Sequence, residues 1–272
     1  MITKAELDRA RSLIIDMDGV LYRGDAPVEG AGEFLGFLRQ REHPFVLLTN
    51  NSTLTAAQYV AKLAGMGMEV EEQCILTSAE ATAVYLSQSA SPGAQVFAIG
   101  EDGVRTELEK HGFELRDDAN VAYVVVGMDR GLTYPKLATA TLAIRGGAKF
   151  IGTNPDKTFP GNLGLLPGNG AILAALEVAT DTAPQVIGKP QPAIFELALQ
   201  KLGADPQTST MIGDRLDTDV LGARQLGLMT VLVLSGVTDA HLLARSTLVP
   251  DKTYEDIAAF YRAWRDALAV RD

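Results

Sequence analysis

Short apolar runs that stop abruptly at polar residues recur along this chain and alternate with stretches of helical periodicity. The runs predict strands at 12–15, 45–48, 74–76, 96–99, 122–126, 149–151, 185–187, 210–212 and 230–234. The stretches between them predict helices at 31–41, 55–65, 102–111, 135–145, 169–178, 192–202, 217–226 and 254–268. Strands that alternate with helices in this way build parallel sheets, so we predict an α/β fold with a mainly parallel sheet.

Composition and charge exclude several classes of protein. The 272 residues are 47% apolar, which suits one large domain or two and is too much for a disordered chain. The net charge of −10 repels a phosphate backbone, so we expect no nucleic-acid partner. No apolar run approaches the ~20 residues of a membrane helix, so we expect no membrane partner. The charged first twelve residues lack the apolar segment of a signal peptide, and the single cysteine, Cys74, permits no internal disulfide, so we expect a cytoplasmic protein.

Polar side chains follow four of the predicted strands within one to three residues. They are Asp16, Asp18, Thr49, Lys189 and Asp214. In parallel sheets, ligands bind at the carboxyl ends of the strands. If these four strands share a sheet, three carboxylates, one hydroxyl and one ammonium group therefore meet at one edge.

This set of groups suits metal-assisted phosphoryl transfer. Mg²⁺ prefers carboxylate, carbonyl and water oxygens and would remove the repulsion between the carboxylates. An Asp carboxylate such as Asp16 can attack phosphorus, and Asp18, two residues later on the same side of an extended segment, could protonate the leaving oxygen and then deprotonate water. Gly19 would let the backbone approach a phosphate closely, and Thr49 and Lys189 supply a donor and a cation for its oxygens.

The same residues also have purely structural interpretations. Asp16 and Asp18 could form a turn and a helix cap, and residues 49–52 could only cap the next helix. A lone lysine such as Lys189 is usually solvated, and Asp219 could be a helix-start charge rather than a metal-site residue. The position of the motifs after apolar strands favours the functional interpretation for the set.

The motifs together resemble the haloacid dehalogenase superfamily. They are Asp16-Met17-Asp18-Gly19-Val20, Thr49, Lys189 and Gly213-Asp214-Arg215-Leu216-Asp217-Thr218-Asp219, in that order. Four segments resemble the type IIA (NagD-like) phosphatases more narrowly: Thr49-Asn50-Asn51-Ser52, Thr153-Asn154-Pro155-Asp156, Pro167-Gly168-Asn169-Gly170 and Gly188-Lys189-Pro190. The resemblance covers nearly the whole chain and implies a Rossmann-like core with a parallel sheet.

The resemblance implies a role for each residue of the motifs. Asp16 would attack phosphorus to form an aspartyl-phosphate, and Asp18 would be the general acid and then the base for water. Thr49 and Lys189 would hold the transferring phosphoryl group. The further candidate phosphate-binding residues are Gly19, Asn50 and Asn51.

The resemblance also implies the cofactor, Mg²⁺. The Asp16 carboxylate, the Asp18 backbone carbonyl and Asp214 would bind the ion, and Asp219 would support it through water. An acid at the position of Asp18 resembles the phosphatases, whereas members with dehalogenase or phosphonatase chemistry typically lack it.

The long spacer between Thr49 and Lys189 holds strands and helices of its own, so it predicts an inserted domain. In the resembling group this insert is an α/β cap of the C2 type that closes over the site. We place the cap at 81–183 and the catalytic core at 1–80 and 184–272. Arg130 and Asn154 follow predicted strands of the cap and are candidate substrate contacts.

We therefore expect a Mg²⁺-dependent phosphatase that hydrolyses small phosphate monoesters through an aspartyl-phosphate. The expected partner is a small phosphorylated metabolite of the sugar phosphate, nucleotide, phosphoglycolate or p-nitrophenyl phosphate type. Two alternatives stay open: a phosphomutase or phosphotransferase of the same superfamily, or a non-catalytic protein that binds a phosphorylated ligand. A homodimer is also open, because dimers through the cap occur in the resembling group.

Overall fold

The structure is a computed structural model that describes residues 2–161 and 164–269, with the side chains of 160 and 161 left aside. Its strands, in chain order, are β1 (Ser12–Asp16), β2 (Tyr22–Arg23), β3 (Ala26–Pro27), β4 (Phe45–Thr49), β5 (Ile75–Thr77), β6 (Gln95–Ile99), β7 (Glu114–Leu115), β8 (Tyr123–Val126), β9 (Lys149–Gly152), β10 (Thr158–Gly161), β11 (Gly164–Pro167), β12 (Gln185–Val186), β13 (Ser209–Gly213), β14 (Met229–Val233) and β15 (Lys252–Tyr254). Its α-helices are α1 (Lys4–Asp8), α2 (Ala31–Gln40), α3 (Ala56–Gly65), α4 (Ser78–Ser87), α5 (Asp102–Lys110), α6 (Tyr134–Arg145), α7 (Asn169–Thr180), α8 (Pro192–Leu202), α9 (Leu221–Gln225), α10 (Ala240–Arg245) and α11 (Ile257–Ala269).

The chain divides into two compact units. The first unit comprises the residues up to Thr49, Tyr59–Leu76 and the residues from Phe195 onward. The second unit comprises Asn50–Gln58 and Thr77–Ile194. The second unit extends beyond the predicted 81–183, because it also contains Asn50–Gln58 and its longer segment runs from Thr77, just before α4, to Ile194. The division into a catalytic core and an inserted cap stays a prediction.

The first unit is built on a six-stranded sheet in the order β15-β14-β13-β1-β4-β5. β1 pairs in parallel with both β13 and β4, and β14 pairs in parallel with β13 and β15. Every residue of β1, β4, β13 and β14 is buried. This burial explains why these strands read as continuous apolar runs, since a parallel sheet is covered on both faces.

An aromatic cluster joins α2 to α11 in the first unit. The rings of Phe34 and Trp264 meet edge to face with centroids 6.0 Å apart, and Phe260 stacks on Trp264 at the same distance. Phe34, Phe260 and Trp264 are all fully buried. The helical spacing of apolar residues predicted for 254–268 therefore marks a packing face.

The second unit has a five-stranded sheet in the order β12-β9-β8-β6-β7. All of its strand pairs are parallel. Helices α6 and α7 contribute Ile144, Leu173 and Leu176 to the cluster that covers this sheet. β10 and β11 form an antiparallel hairpin before α7.

The predicted α/β fold with parallel sheets is confirmed, and the differences have physical causes. Helix α4 was not predicted, because its small residues are buried on several sides and the sequence therefore shows no amphipathic periodicity there. The predicted helix at 217–226 is a π-helical turn, Leu216–Val220, followed by α9. Within the described parts of the chain, every helix is too short or too polar to cross a membrane.

The packing of His43 predicts a pH dependence of stability. Burial lowers the pKa of the His43 imidazole, and its hydrogen bond to the backbone of Ala10 offsets this only in part. The ring meets Trp264 edge to face, with centroids 4.9 Å apart. On acidification the unfolded chain protonates this histidine first, so the free energy of unfolding falls as the pH drops through the ordinary histidine pKa of about 6.5.

We expect His43→Gln to flatten the dependence of the melting temperature on pH between about pH 8 and pH 5.5, the interval that brackets that ordinary pKa. Thermal melts of both proteins across this interval measure the effect. His241→Gln, at an exposed histidine, is the control and keeps the wild-type dependence. Equal slopes for wild type and His43→Gln would show that His43 does not carry the effect.

Candidate active site

The carboxyl ends of three adjacent strands place the predicted acidic motifs together in the first unit. Ile15 of β1 lies opposite Ile212 of β13 and Leu47 of β4. Asp16, Thr49 and Asp214 follow these positions along their strands by one or two residues. From β1 the chain continues to β4 and β5 on one side of the sheet and later returns to β13, β14 and β15 on the other side. This edge is therefore a topological switch point, where open α/β sheets bind ligands.

Three carboxylates converge at this edge. Asp16, Asp214 and Asp219 each offer one carboxylate oxygen, and these oxygens all lie within 4.8 Å of one another. The three residues are 6%, 1% and 0% exposed. Carboxylates this close repel one another when ionised, and hard oxygen ligands are what Mg²⁺ prefers. The donor set therefore fits Mg²⁺, and coordination by the carbonyl of Asp18 stays a prediction.

Glycines make room for the Asp214 carboxylate. A Cβ atom at Gly19 or at Gly236 would overlap Asp214 Oδ2, and Gly19 also has a φ of +84°, which disfavours other residues. The backbone N–H of Val237 donates to Asp214 Oδ2 at 2.6 Å. The Ser235 hydroxyl donates to the carbonyl of Gly19 at 2.6 Å and ties the two loops together. Residues 235–237 belong to none of the sequence motifs.

The π-helical turn after β13 turns Asp219 inward. The backbone N–H of Arg215 donates to Asp219 Oδ2 at 3.1 Å, and a Cβ at Gly213 would overlap the Asp219 side chain. Asp217, two residues earlier, is exposed and pairs with the Arg215 guanidinium at 3.0 Å. Asp219 therefore belongs to the carboxylate cluster rather than to a solvated helix start.

Asp18 has a phenol beside it that sequence reasoning missed. The Tyr22 hydroxyl donates to Asp18 Oδ2 at 3.2 Å. Burial, and next the charge of Asp18, raise the pKa of Tyr22 well above its ordinary value. The contact depends on the turn that follows β1, and the residue pattern by itself contains no signal for it.

In the second unit, the Asn50 side chain holds the backbone of Lys189. Asn50 Oδ1 accepts from the Lys189 N–H at 2.8 Å, and Nδ2 donates to the Lys189 carbonyl at 3.0 Å and to Asp156 Oδ1 at 3.2 Å. Asn154 Nδ2 donates in turn to the Asn50 carbonyl at 2.7 Å. Lys189 is only 2% exposed. Both asparagine amides support the lysine loop, and their predicted contacts with substrate stay predictions.

The other two predicted binding residues of this unit also have protein partners. Asn51 Oδ1 accepts from the N–H of Thr53 at 3.0 Å and from its hydroxyl at 2.8 Å. The Arg130 guanidinium donates to both carboxylate oxygens of Glu101, at 2.8 and 2.5 Å. These hydrogen bonds lower the pKa of Glu101. A substrate contact of Arg130 stays a prediction, and Glu101 would share in holding its guanidinium.

Two protein-family models match most of the strands that carry the motifs. One, described as haloacid dehalogenase-like hydrolase, matches residues 13–114. The other, described as HAD-hydrolase-like, matches residues 186–260. Together they contain Asp16, Thr49, Lys189 and Asp214.

The chain is also similar over nearly its full length to named proteins. It is 41% identical to an acid sugar phosphatase from Staphylococcus haemolyticus, over 91% of this chain and 94% of that protein. The 4-nitrophenylphosphatase of Thermotoga maritima superposes with a TM-score of 0.90 and 34% identity, covering 95% and 98% of the two chains. NagD from Escherichia coli K-12 superposes with a TM-score of 0.85 and 35% identity, over 92% of this chain and 97% of that chain. The glycerol phosphate phosphatase of Mycobacterium tuberculosis, solved in complex with magnesium, superposes with a TM-score of 0.86 and 33% identity. The match covers 96% of this chain and 77% of that chain.

The carboxylate cluster predicts that Mg²⁺ stabilises the folded protein. At a Mg²⁺ concentration about 100 times the Kd, binding to the folded state alone adds about 2.7 kcal/mol, which raises the melting temperature by several degrees. We expect Asp214→Asn to lose most of this rise, because it removes one charge from the cluster. Thermal melts with and without MgCl₂ measure it.

Asp217→Asn is the matched control, because it removes an exposed carboxylate from the same segment. This variant keeps the wild-type response to Mg²⁺. A rise of equal size in Asp214→Asn and wild type would contradict a metal site at the cluster.

Proposed function

We propose that this chain hydrolyses small phosphate monoesters with Mg²⁺ as cofactor. The premise is that the chain belongs to the NagD-like group of haloacid dehalogenase-like hydrolases and is a phosphatase. One observation carries the proposal: the convergence of three buried carboxylates at the carboxyl end of a parallel sheet. A phosphate ester can approach such an edge only if its own negative charge and theirs are offset.

The carboxylates of Asp16, Asp214 and Asp219 would hold the ion, together with the carbonyl of Asp18. When bound, Mg²⁺ supplies positive charge that offsets the carboxylates and the phosphate oxygens during transfer. The related glycerol phosphate phosphatase in complex with magnesium supports Mg²⁺ as the ion.

Two carboxylates of this chain would carry the reaction. Asp16 attacks phosphorus, so a bond forms between its carboxylate oxygen and phosphorus while the bond to the leaving oxygen breaks. Asp18 gives its proton to the leaving oxygen, which departs as a neutral alcohol. Asp18 then takes a proton from water as the water oxygen attacks phosphorus, which frees Asp16 and releases phosphate.

Other residues would bind and orient the phosphoryl group. The Thr49 hydroxyl and the Lys189 ammonium suit phosphate oxygens, since one donates a hydrogen bond and the other adds a positive charge. Gly19 would let the backbone approach the phosphate closely, and Asn51 would add donors. Asn50 would act on Lys189 by fixing its backbone through two hydrogen bonds.

The substrates we propose are phosphorylated metabolites of sugar-phosphate size. The acid sugar phosphatase relative, at 41% identity, supports this class. Arg130 and Asn154 are the proposed specificity residues. Release of free phosphate, rather than an isomerised sugar phosphate, would distinguish this activity from that of a phosphomutase.

We expect Asp16→Asn to lower the release of p-nitrophenol from p-nitrophenyl phosphate by several orders of magnitude, because an amide cannot replace a carboxylate nucleophile. We expect chelation of Mg²⁺ to abolish turnover by the wild type. Colorimetric assays of wild type and variant, with MgCl₂ and with chelator, measure both effects, and thermal melts show that the variant is folded.

Asp217→Asn is again the control and keeps its activity, because it removes an exposed carboxylate of the first unit. A fully active Asp16→Asn enzyme would rule out the proposed nucleophile. High activity of wild type after exhaustive chelation would rule out the proposed cofactor.

A further inference from the structure

We infer that Tyr22 is a positioning residue for Asp18, and that its hydroxyl sets which oxygen of Asp18 carries the proton for the leaving group. This inference rests on the proposed function, in which Asp18 is the general acid. It concerns a residue outside all the acidic motifs.

The turn after β1 holds the two side chains together. The Gly19 N–H donates to the Tyr22 carbonyl at 2.8 Å, and the N–H groups of Leu21 and Tyr22 both donate to the Met17 carbonyl, at 2.8 and 3.3 Å. Asp18 and Tyr22 also form an isolated backbone bridge. The hydrogen bond from Tyr22 to Asp18 therefore joins two residues whose backbones are already held in place.

The Tyr22 ring is fixed from other directions as well. Tyr22 is fully buried. The Lys62 ammonium lies over the face of the ring, 4.2 Å from its centre. Tyr22 begins β2, which pairs with β3. A ring held in this way has little freedom, so its hydroxyl is a donor of fixed direction.

The Tyr22 phenol is protonated at neutral pH, because the ordinary pKa of tyrosine is about 10. The hydroxyl therefore donates a hydrogen bond to Asp18 Oδ2 and keeps its own proton. Because Oδ2 accepts this hydrogen bond, the transferable proton of Asp18 lies on Oδ1.

This placement acts on one step of the reaction. As the bond between Asp16 and phosphorus forms, the bond from phosphorus to the leaving oxygen breaks, and the proton on Oδ1 passes to that oxygen. The Tyr22 proton stays on Tyr22 throughout. A leaving group that is stable as an anion departs readily without this proton. A strongly basic leaving group departs slowly unless it is protonated.

A merely structural hydroxyl would have a different effect. Its loss would lower stability, or lower turnover of every ester by one common factor. Only a hydroxyl that orients the general acid makes the loss depend on the leaving group.

The experiment compares kcat/KM of wild type and Tyr22→Phe for a series of substituted phenyl phosphates, from p-nitrophenyl phosphate to phenyl phosphate. The ratio kcat/KM is used because it excludes the later hydrolysis of the phospho-enzyme, in which Asp18 acts as a base. The substituents change the basicity of the leaving group and leave its shape nearly constant. Phenylalanine keeps the ring, and thermal melts verify folding.

We expect Tyr22→Phe to lower kcat/KM for phenyl phosphate on the order of tenfold, a part of the 10²–10⁴-fold that a positioned acid contributes, and to change the p-nitrophenyl value by less than about twofold. In an Asp18→Ala background, where no acid remains to be oriented, Tyr22→Phe has no further effect. Equal losses for all esters, or an undiminished effect in that background, would overturn the inference.

Tyr59→Phe is the matched control. Tyr59 is also fully buried in the first unit, and burial and the Asp18 charge raise its pKa too, but its hydroxyl makes no hydrogen bond to Asp18. Its loss changes all esters by the same factor, and a leaving-group dependence in Tyr59→Phe would also overturn the inference. If the wild type hydrolyses none of the esters, the proposed function itself is refuted. If the wild type hydrolyses them and Asp16→Asn does not, the results for Tyr22→Phe test only the role of Tyr22.

Discussion

The mutual repulsion of three buried carboxylates is the constraint on which the first unit depends. Two unit charges about 4 Å apart repel by about 4 kcal/mol at the effective dielectric of a protein, a large part of the 5–15 kcal/mol by which a domain is stable. One carboxylate oxygen from each of Asp16, Asp214 and Asp219 lies within 4.8 Å of the other two, close to that distance. Their approach requires a fold that holds them there and a counter-charge that offsets them, and both requirements point to a cation site.

Much of the surrounding architecture serves this approach. Gly19 and Gly236 leave room for Asp214, and Gly213 leaves room for Asp219. The π-helical turn brings Asp219 inward while it leaves Asp217 in solvent. Strand order contributes as well, since the central position of β1 aligns its carboxyl end with the ends of its two neighbours.

Several polar residues of the motifs act on other protein groups. The Asn50 side chain accepts a hydrogen bond from the backbone N–H of Lys189, and the Asn154 side chain donates one to the Asn50 carbonyl. Such buried amides must be hydrogen-bonded, and once they are, they fix the loop that carries a charged side chain. Tyr22 has the same relation to Asp18 in the first unit. In each case a neutral hydrogen-bonding group sets the position of a residue with a proposed role in the reaction.

The sequence by itself determined the α/β fold, because burial on both faces of a parallel sheet leaves apolar runs that a reader can recognise, and their ends located Asp16, Thr49 and Asp214. Only the tertiary structure decided which partners these and other polar residues find. Asn50 and Lys189 are 139 residues apart, and Arg130 and Glu101 are 29 apart. Tyr22 is close to Asp18 in sequence, yet the turn after β1 decides that they touch. The periodicity of apolar residues indicates which residues are buried. Which side chains pair depends on how the tertiary fold brings distant parts of the chain together.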